Sequence, residues 1–396
     1  MTDLNQHIAH LSAEQRALLA TRIQDKKAAA NSKQTIARLP RVGRTYSFPM
    51  SFAQQRLWFL DQLEPGSTSY NTPRAIRLDG CLQIKPLQRA IMDIVARHET
   101  LRTRFITQDG EPLQLIIPDI SVAMPIVDLG HLSGIIQQQE VERLAAADVN
   151  QPFDLTTGPL LRTTLLHLGE QRHILLLTIH HVVSDAWSMS VFFKELATLY
   201  EAFSTDRPSP LPDLPIQYAD FSQWQRAYLQ GETLNVQLGY WKRQLQDLPS
   251  RLELPTDRAH STPPEVSGAS QSLTLPQVMS DSLNVLNRRA SVTVYMSLLA
   301  VFALLLSRYT GQRDIVLGSP SAGRTRIETE GLIGFFINNL VLRIDISGNP
   351  TFISLLTLVR TVTLDAYTHQ DIPFEKLVEE LQPEREINRN PLFDVM

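Results

Sequence analysis

The chain has 396 residues, 43% of them apolar and 20% charged, and its 37 Lys and Arg against 41 Asp and Glu leave a net charge of −4. That length exceeds one ordinary hydrophobic core and predicts two lobes. The charge balance excludes the basic footprint of a nucleic-acid binder and offers nothing to an anionic membrane.

A lone Cys81 cannot form an internal disulfide and reads as a small hydrophobe or surface thiol. The polar opening MTDLNQHIAH is not a charged-then-apolar leader, so the expected compartment is the cytoplasm. Residues 12–15, SAEQ, have capping-box spacing ahead of RALLATRIQDKKAAA, which predicts a linker helix within an N-terminal linker over 1–47. A first lobe over 48–216 then mixes elements. It reads as a capped helix at SFAQQRLWFLDQL, a strand near RAIRL and a helix through PLQRAIMDIVARHE. Paired strands around LLRTTLLHL and HILLLTIHH and the helical run WSMSVFFKELATLYEAF follow. Four prolines between Pro208 and Pro215 forbid regular structure and mark its edge. Helices in QYADFSQWQRAYLQ and YWKRQL, with a second irregular stretch, form a bridge over 217–267, and strand and helix alternate again over 268–396. Within that last part VYMSLLAVFALLL, Val294 to Leu306, is shorter than the roughly 20 residues that span a bilayer and reads as a buried helix. Interleaved helices and strands make the class α+β.

The residues that promise chemistry lie in IHHVVSDAWS, Ile179 to Ser188, where an apolar run ends on two imidazoles. A ring nitrogen taken out of water needs a partner. In extended backbone adjacent side chains face opposite ways, so His180 and His181 do not share a metal ion, and neither H-E-x-x-H nor C-x-x-C occurs. No metal site is expected. GSPSAG, Gly318 to Gly323, lacks the G-x-S-x-G spacing of a nucleophile elbow, which disfavours a serine hydrolase. The residues themselves read as one functional imidazole, His181, facing a cavity, with His180 packed behind it and Asp185 fixing the loop through an arginine.

Seven short motifs follow one another: SFAQQRLWFL at 51–60, RHETLRTRF at 97–105, HHVVSDAWS at 180–188, YADFSQW at 218–224, IGFFINNLVLR at 333–343, HQDIPFE at 369–375 and NRNPLF at 388–393. From about residue 48 to its end the chain resembles, on these motifs, the condensation domains of non-ribosomal peptide synthetases, in the subtype that accepts an L-configured donor residue. The resemblance implies two chloramphenicol-acetyltransferase-like lobes in a V-shaped pseudo-dimer, with the histidine motif at their junction. It implies catalytic roles for His181, the second histidine of the HHxxxDG motif, together with Asp185 and His180. Ala186, Trp187, Ser188, Arg324 and Asn338 become substrate-channel or structural support, with Arg324 the partner of Asp185.

No cofactor is expected to bind directly. By the same resemblance, phosphopantetheine arms arrive on an upstream donor carrier domain and a downstream acceptor carrier domain, beside an adjoining adenylation domain, and the chain is a monomeric domain of a larger assembly line. The implied reaction joins a carrier-bound acyl or peptidyl thioester to the α-amine of a carrier-bound aminoacyl group. A non-catalytic carrier-docking module and an acyltransferase using a free amine are the alternatives. Three departures stand out: Ala186 replaces the family glycine, Asn339 stands where threonine is usual, and the end at Met396 implies an incomplete, truncated second lobe. Ala186 either strains a glycine position or simply opens a helix. Asn338 either faces the tunnel or satisfies irregular backbone. Arg56 and Trp58 read as helix contacts, His98 and Glu99 as a helix end, and His369 as a turn residue.

Overall fold

The structure is a computed structural model that describes residues 35–249, 251–255, 268–383 and 390–396. The linker helix expected after residue 12 and most of the second irregular stretch lie outside the described residues.

The first lobe runs β1 (Tyr46–Pro49), α1 (Phe52–Leu63), β2 (Asn71–Asp79), α2 (Ile84–Arg97), β3 (Thr103–Gln108), β4 (Glu111–Ile116), β5 (Ile126–Asp128), α3 (Gly134–Val149), β6 (Leu161–Gly169), β7 (Arg172–His180) and α4 (Ala186–Ser204). Helix α1 starts where the capping box predicts: Ser51 Oγ accepts the Gln54 amide at 3.1 Å and Gln54 Oε1 accepts the Ser51 amide at 3.1 Å. The main sheet has the order β2-β7-β6-β5, antiparallel except for the parallel pair β5–β6, and a smaller antiparallel sheet has the order β1-β4-β3. Strand β7 is central and covered on both faces. Leu175, Leu177 and Ile179 enter the core under α2 and α4, while Leu176 joins Val141 of α3 on the other face. That double burial is why its sequence is an unbroken apolar run rather than an alternation.

The second lobe follows α5 (Tyr218–Tyr228) and α6 (Gly231–Gln244) with α7 (Gln277–Ala290), α8 (Val294–Thr310), β8 (Asp314–Ser321), α9 (Ile327–Glu330), β9 (Asn338–Asp345), α10 (Phe352–Thr368) and α11 (Phe374–Leu381). Its core takes in Trp241 and Leu238 of α6, so this bridging helix packs with the second lobe. Strands β8 and β9 pair antiparallel, and Val395 O accepts the Gly318 amide at 2.8 Å. Helix α8 departs from the buried helix expected. Met296, Leu299, Ala300, Ala303 and Leu306 are buried, but Leu298, Val301 and Leu305 are 48%, 49% and 48% exposed. An all-round apolar sequence reports that a helix has no polar face, and only packing decides how many faces are covered. Among the described residues no single helix is long and apolar enough to cross a membrane.

The loop between α9 and β9 crosses from the second lobe into the first. Ile333 and Phe335 enter the core of the first lobe. Leu332 and Phe336 join Ile36, Leu214, Ile216, Tyr218 and Phe221 in a separate apolar cluster. Arg41 seals the same region with ion pairs to Glu99 at 2.8 Å and Asp220 at 2.5 Å. The crossing is tight at Gly334, where a Cβ would lie 2.0 Å from Cδ2 of the buried Tyr218. Gly334→Ala is therefore expected to cost about 1–3 kcal/mol through overpacking. Urea denaturation reads this as a lowered midpoint, and an unchanged midpoint would contradict the tight crossing.

Candidate active site

Strand β7 ends at His180, and the chain turns at once through a 3-10 segment, His181–Val183, into Asp185. The break sends the two imidazoles apart. His180 is 3% exposed, its ring centroid 6.3 Å from that of Tyr70 and 6.0 Å from that of Phe153, and its Nδ1 accepts the Val182 amide at 3.2 Å. Burial, with the neighbouring His181 and Arg162, pushes its pKa from the ordinary 6.5 down to about 3.

An unfolded chain thus binds a proton that the folded chain refuses, and this contribution to stability is full above pH 6.5 and declines as pH falls towards 3. Between pH 7 and pH 5 the wild type is expected to lose about 2 kcal/mol more than His180→Gln, at 1.36 kcal/mol per pKa unit. Urea titrations at the two pH values check it, and equal losses would contradict the assignment.

His181 is half-buried and differently held. Its Nδ1 lies 2.6 Å from the carbonyl oxygen of Ser184, and its ring meets Phe335 edge-on at 4.8 Å. A carbonyl only accepts, so Nδ1 carries the proton and Nε2 presents a lone pair. The tautomer is that of a base.

Asp185 holds this turn to the second lobe. As the N-cap of α4 its Oδ1 accepts the Ser188 amide at 2.7 Å and Arg324 Nη2 at 3.2 Å, and its Oδ2 accepts the Phe336 amide at 3.0 Å. Arg324 also donates to the carbonyls of Thr329 and Leu332, the latter at 2.8 Å, and to Ser188 Oγ at 2.8 Å. Both side chains of the ion pair are 1% exposed. Burial lowers the Arg324 pKa, and Asp185 opposes the shift. Ser188 Oγ bonds both the amide of Gly334, at 3.0 Å, and its carbonyl, at 2.8 Å. Trp187, half in solvent, donates from Nε1 to the carbonyl of Glu330 at 2.9 Å. The stretch DAWS therefore fastens a helix start to the crossing loop by three side chains.

The geometry bears on two sequence alternatives. Ala186 is the first residue of α4, exposed, and absent from the positions with positive φ, so no backbone feature there calls for glycine. Ala186→Gly is expected to lose at most about 0.5–1 kcal/mol of stability, read by urea denaturation. A gain in stability would contradict this reading. Asn338, at the start of β9, donates to the carbonyls of Gln370 and Ile372 at 2.9 and 2.7 Å and accepts the Phe374 amide at 2.9 Å. It satisfies the irregular backbone of HQDIPFE.

A cavity of about 1070 Å³ opens between α1 and α11, walled by Trp58, Phe59, Tyr70, Phe374 and Val378. Arg56 reaches across to Glu375 at 3.2 Å, and burial raises the pKa of that carboxyl. Of the two imidazoles, His180 contributes to these walls. Period-two alternation places the imidazoles on opposite sides but cannot say which side holds which space. Among the described residues no cluster of three His, Cys, Asp or Glu side chains is placed to hold a metal ion.

Sequence reasoning missed the support beneath His181. Tyr218, 1% exposed, donates its hydroxyl to the carbonyl of Phe335 at 2.5 Å and stands 2.8 Å from Ser51 Oγ. Burial pushes its phenol pKa above the ordinary range. The available signal was the motif YADFSQW, because a buried tyrosine hydroxyl requires a partner.

Comparison with known proteins completes the picture. A family model for the condensation domain matches residues 45–396. A linear gramicidin synthase of Brevibacillus parabrevis is 49% identical over 355 residues, which is 90% of this chain and 5% of that protein. A phosphinothricin tripeptide synthetase of Streptomyces viridochromogenes is 41% identical over 395 residues, 100% of this chain and 36% of that protein. The chain thus spans a small part of the curated relatives it matches. Among solved structures, the X-domain from teicoplanin biosynthesis has a TM-score of 0.80 at 29% identity, covering 91% of this chain and 78% of that one. The first condensation domain of the CDA synthetase has a TM-score of 0.71 at 26% identity, covering 85% and 79%. With a two-lobed α+β fold and a family match over most of its length, this chain belongs to the condensation-domain family of non-ribosomal peptide synthetases, whose domains form amide bonds.

Proposed function

We propose that the chain joins a carrier-bound acyl or peptidyl thioester to the α-amine of a carrier-bound aminoacyl group, with His181 as the base at the reacting centre. The observation that carries this reading is the fixed tautomer: Nδ1–H is committed to the Ser184 carbonyl and leaves Nε2 free to accept. The amine nitrogen attacks the thioester carbon, and its surplus proton passes to Nε2. The C–S bond then breaks, and the departing thiolate recovers a proton from the imidazolium. An amine of reference pKa about 8 and a thiol of about 8.5 need little activation, so a single imidazole suffices. Holding both reactants in place supplies several kcal/mol more of the barrier, on the order seen for intramolecular reactions. The Asp185–Arg324 pair acts through structure, by keeping the turn that bears His181 against the second lobe.

The donor and acceptor partners are, on this reading, two carrier domains whose phosphopantetheine arms deliver the thioesters, and an adenylation domain adjoins them in the same assembly line. The complete set of His181, Asp185 and Arg324 contacts favours catalysis over carrier docking alone. The test mixes the chain with a donor-loaded and an acceptor-loaded carrier and follows the condensed product by mass spectrometry. Product that depends on both carriers is expected. Equal product from a free amino acid would support the free-amine acyltransferase, and none under any condition would support the docking module.

A further inference from the structure

The crossing loop has another fastening, at the Ile333 amide. His98, 1% exposed, places Nε2 2.9 Å from Glu195 Oε2 of α4 and accepts the Ile333 amide on Nδ1 at 3.3 Å. Glu195 also takes Arg97 Nε at 3.0 Å. An amide N–H only donates, so Nδ1 is bare and the ring proton lies on Nε2, towards the carboxylate. Burial lowers the His98 pKa, which favours this neutral form. Two residues along the loop, Phe335 supports the His181 ring at 4.8 Å.

We infer that His98 is a positioning residue for His181: through the Ile333 amide it sets where Phe335 stands, and thereby where Nε2 of His181 points. The inference rests on the proposed use of His181 as the base. The competing account is that His98 only satisfies the buried Glu195. The two accounts assign value to different nitrogens, and two substitutions separate them. His98→Asn keeps an acceptor close to the place of Nδ1 and gives up the bond to Glu195. His98→Gln keeps a donor close to the place of Nε2 and gives up the bond to Ile333.

The experiment measures condensation between loaded carriers alongside the ¹³C-histidine NMR signal of His181, which does not depend on turnover. If His98 positions, His98→Gln loses about tenfold to a hundredfold in kcat with KM unchanged, as a displacement of about 1 Å can produce. His98→Asn recovers to within about threefold of wild type, as expected when the positioning contact is retained. The His181 resonance shifts in the glutamine variant and stays in place in the asparagine variant. The reverse ranking, or two variants alike in rate and resonance, overturns the inference. Should His98→Gln not fold, Phe335→Leu removes the same support from the other end. It must then reproduce both the kcat loss and the resonance shift, and wild-type behaviour in either readout overturns the inference. In a foldable pair, His98→Gln adds no further loss to Phe335→Leu, because both act through one contact. Inactive wild type with the predicted resonance ranking would sink the proposed function and leave the positioning intact.

Discussion

Replacing Asp185 with alanine is expected to cost about 3–5 kcal/mol, the range for removing one partner of a buried ion pair. The substitution strands a guanidinium that is 1% exposed and leaves the amides of Ser188 and Phe336 without their acceptor. The N-cap of α4 goes with it, a loss of about 1 kcal/mol when it occurs alone. These losses share partners and do not add. Set against the roughly 5–15 kcal/mol that stabilises a typical domain, they bring the lobe junction close to its limit. Equilibrium denaturation followed by tryptophan fluorescence reads the effect, with Trp187 and Trp224 near the junction as reporters. A fully stable but inactive Asp185→Ala protein would contradict the structural role and move Asp185 into the chemistry.

His181→Ala is expected to do the opposite: condensation falls by about 10²–10⁴, the usual range for a lost acid–base group, while the melting temperature stays close to wild type. The ring is half-buried, its hydrogen bond is local to its own turn, and its removal strands no charge. The edge contact with Phe335 is lost with the ring. Single-turnover kinetics with both carriers loaded, beside a thermal melt, checks the two halves of the expectation. A loss of only a few fold would assign the catalysis to holding the substrates together.

The contrast between these residues also explains what the sequence could reveal. The α1 capping box and the strand that ends at His180 were legible because each follows from spacing over a few residues. The aspartate–arginine pairing was expected from family resemblance, although 139 positions separate the partners. What escaped were contacts with no local signature. His98 reads as a helix end, and it does follow the last residue of α2, yet its nitrogens serve Glu195 and an amide 235 positions away. Tyr218 lies in a helix start and supports a carbonyl 117 positions on. The exposed face of α8 was illegible for the complementary reason, since apolar residues on every side do not say which sides are covered.

On this reading Nε2 of His181 takes the amine's proton, and the decisive measurement is the ratio of single-turnover rates between wild type and His181→Ala across pH with both carriers loaded. Titration of the acceptor amine affects both proteins equally and cancels in the ratio. If His181 is the base, the ratio is large at alkaline pH and falls as the imidazole becomes protonated, because a protonated ring cannot accept. A ratio that stays constant across the range would contradict the account and leave His181 with a purely steric or hydrogen-bonding role.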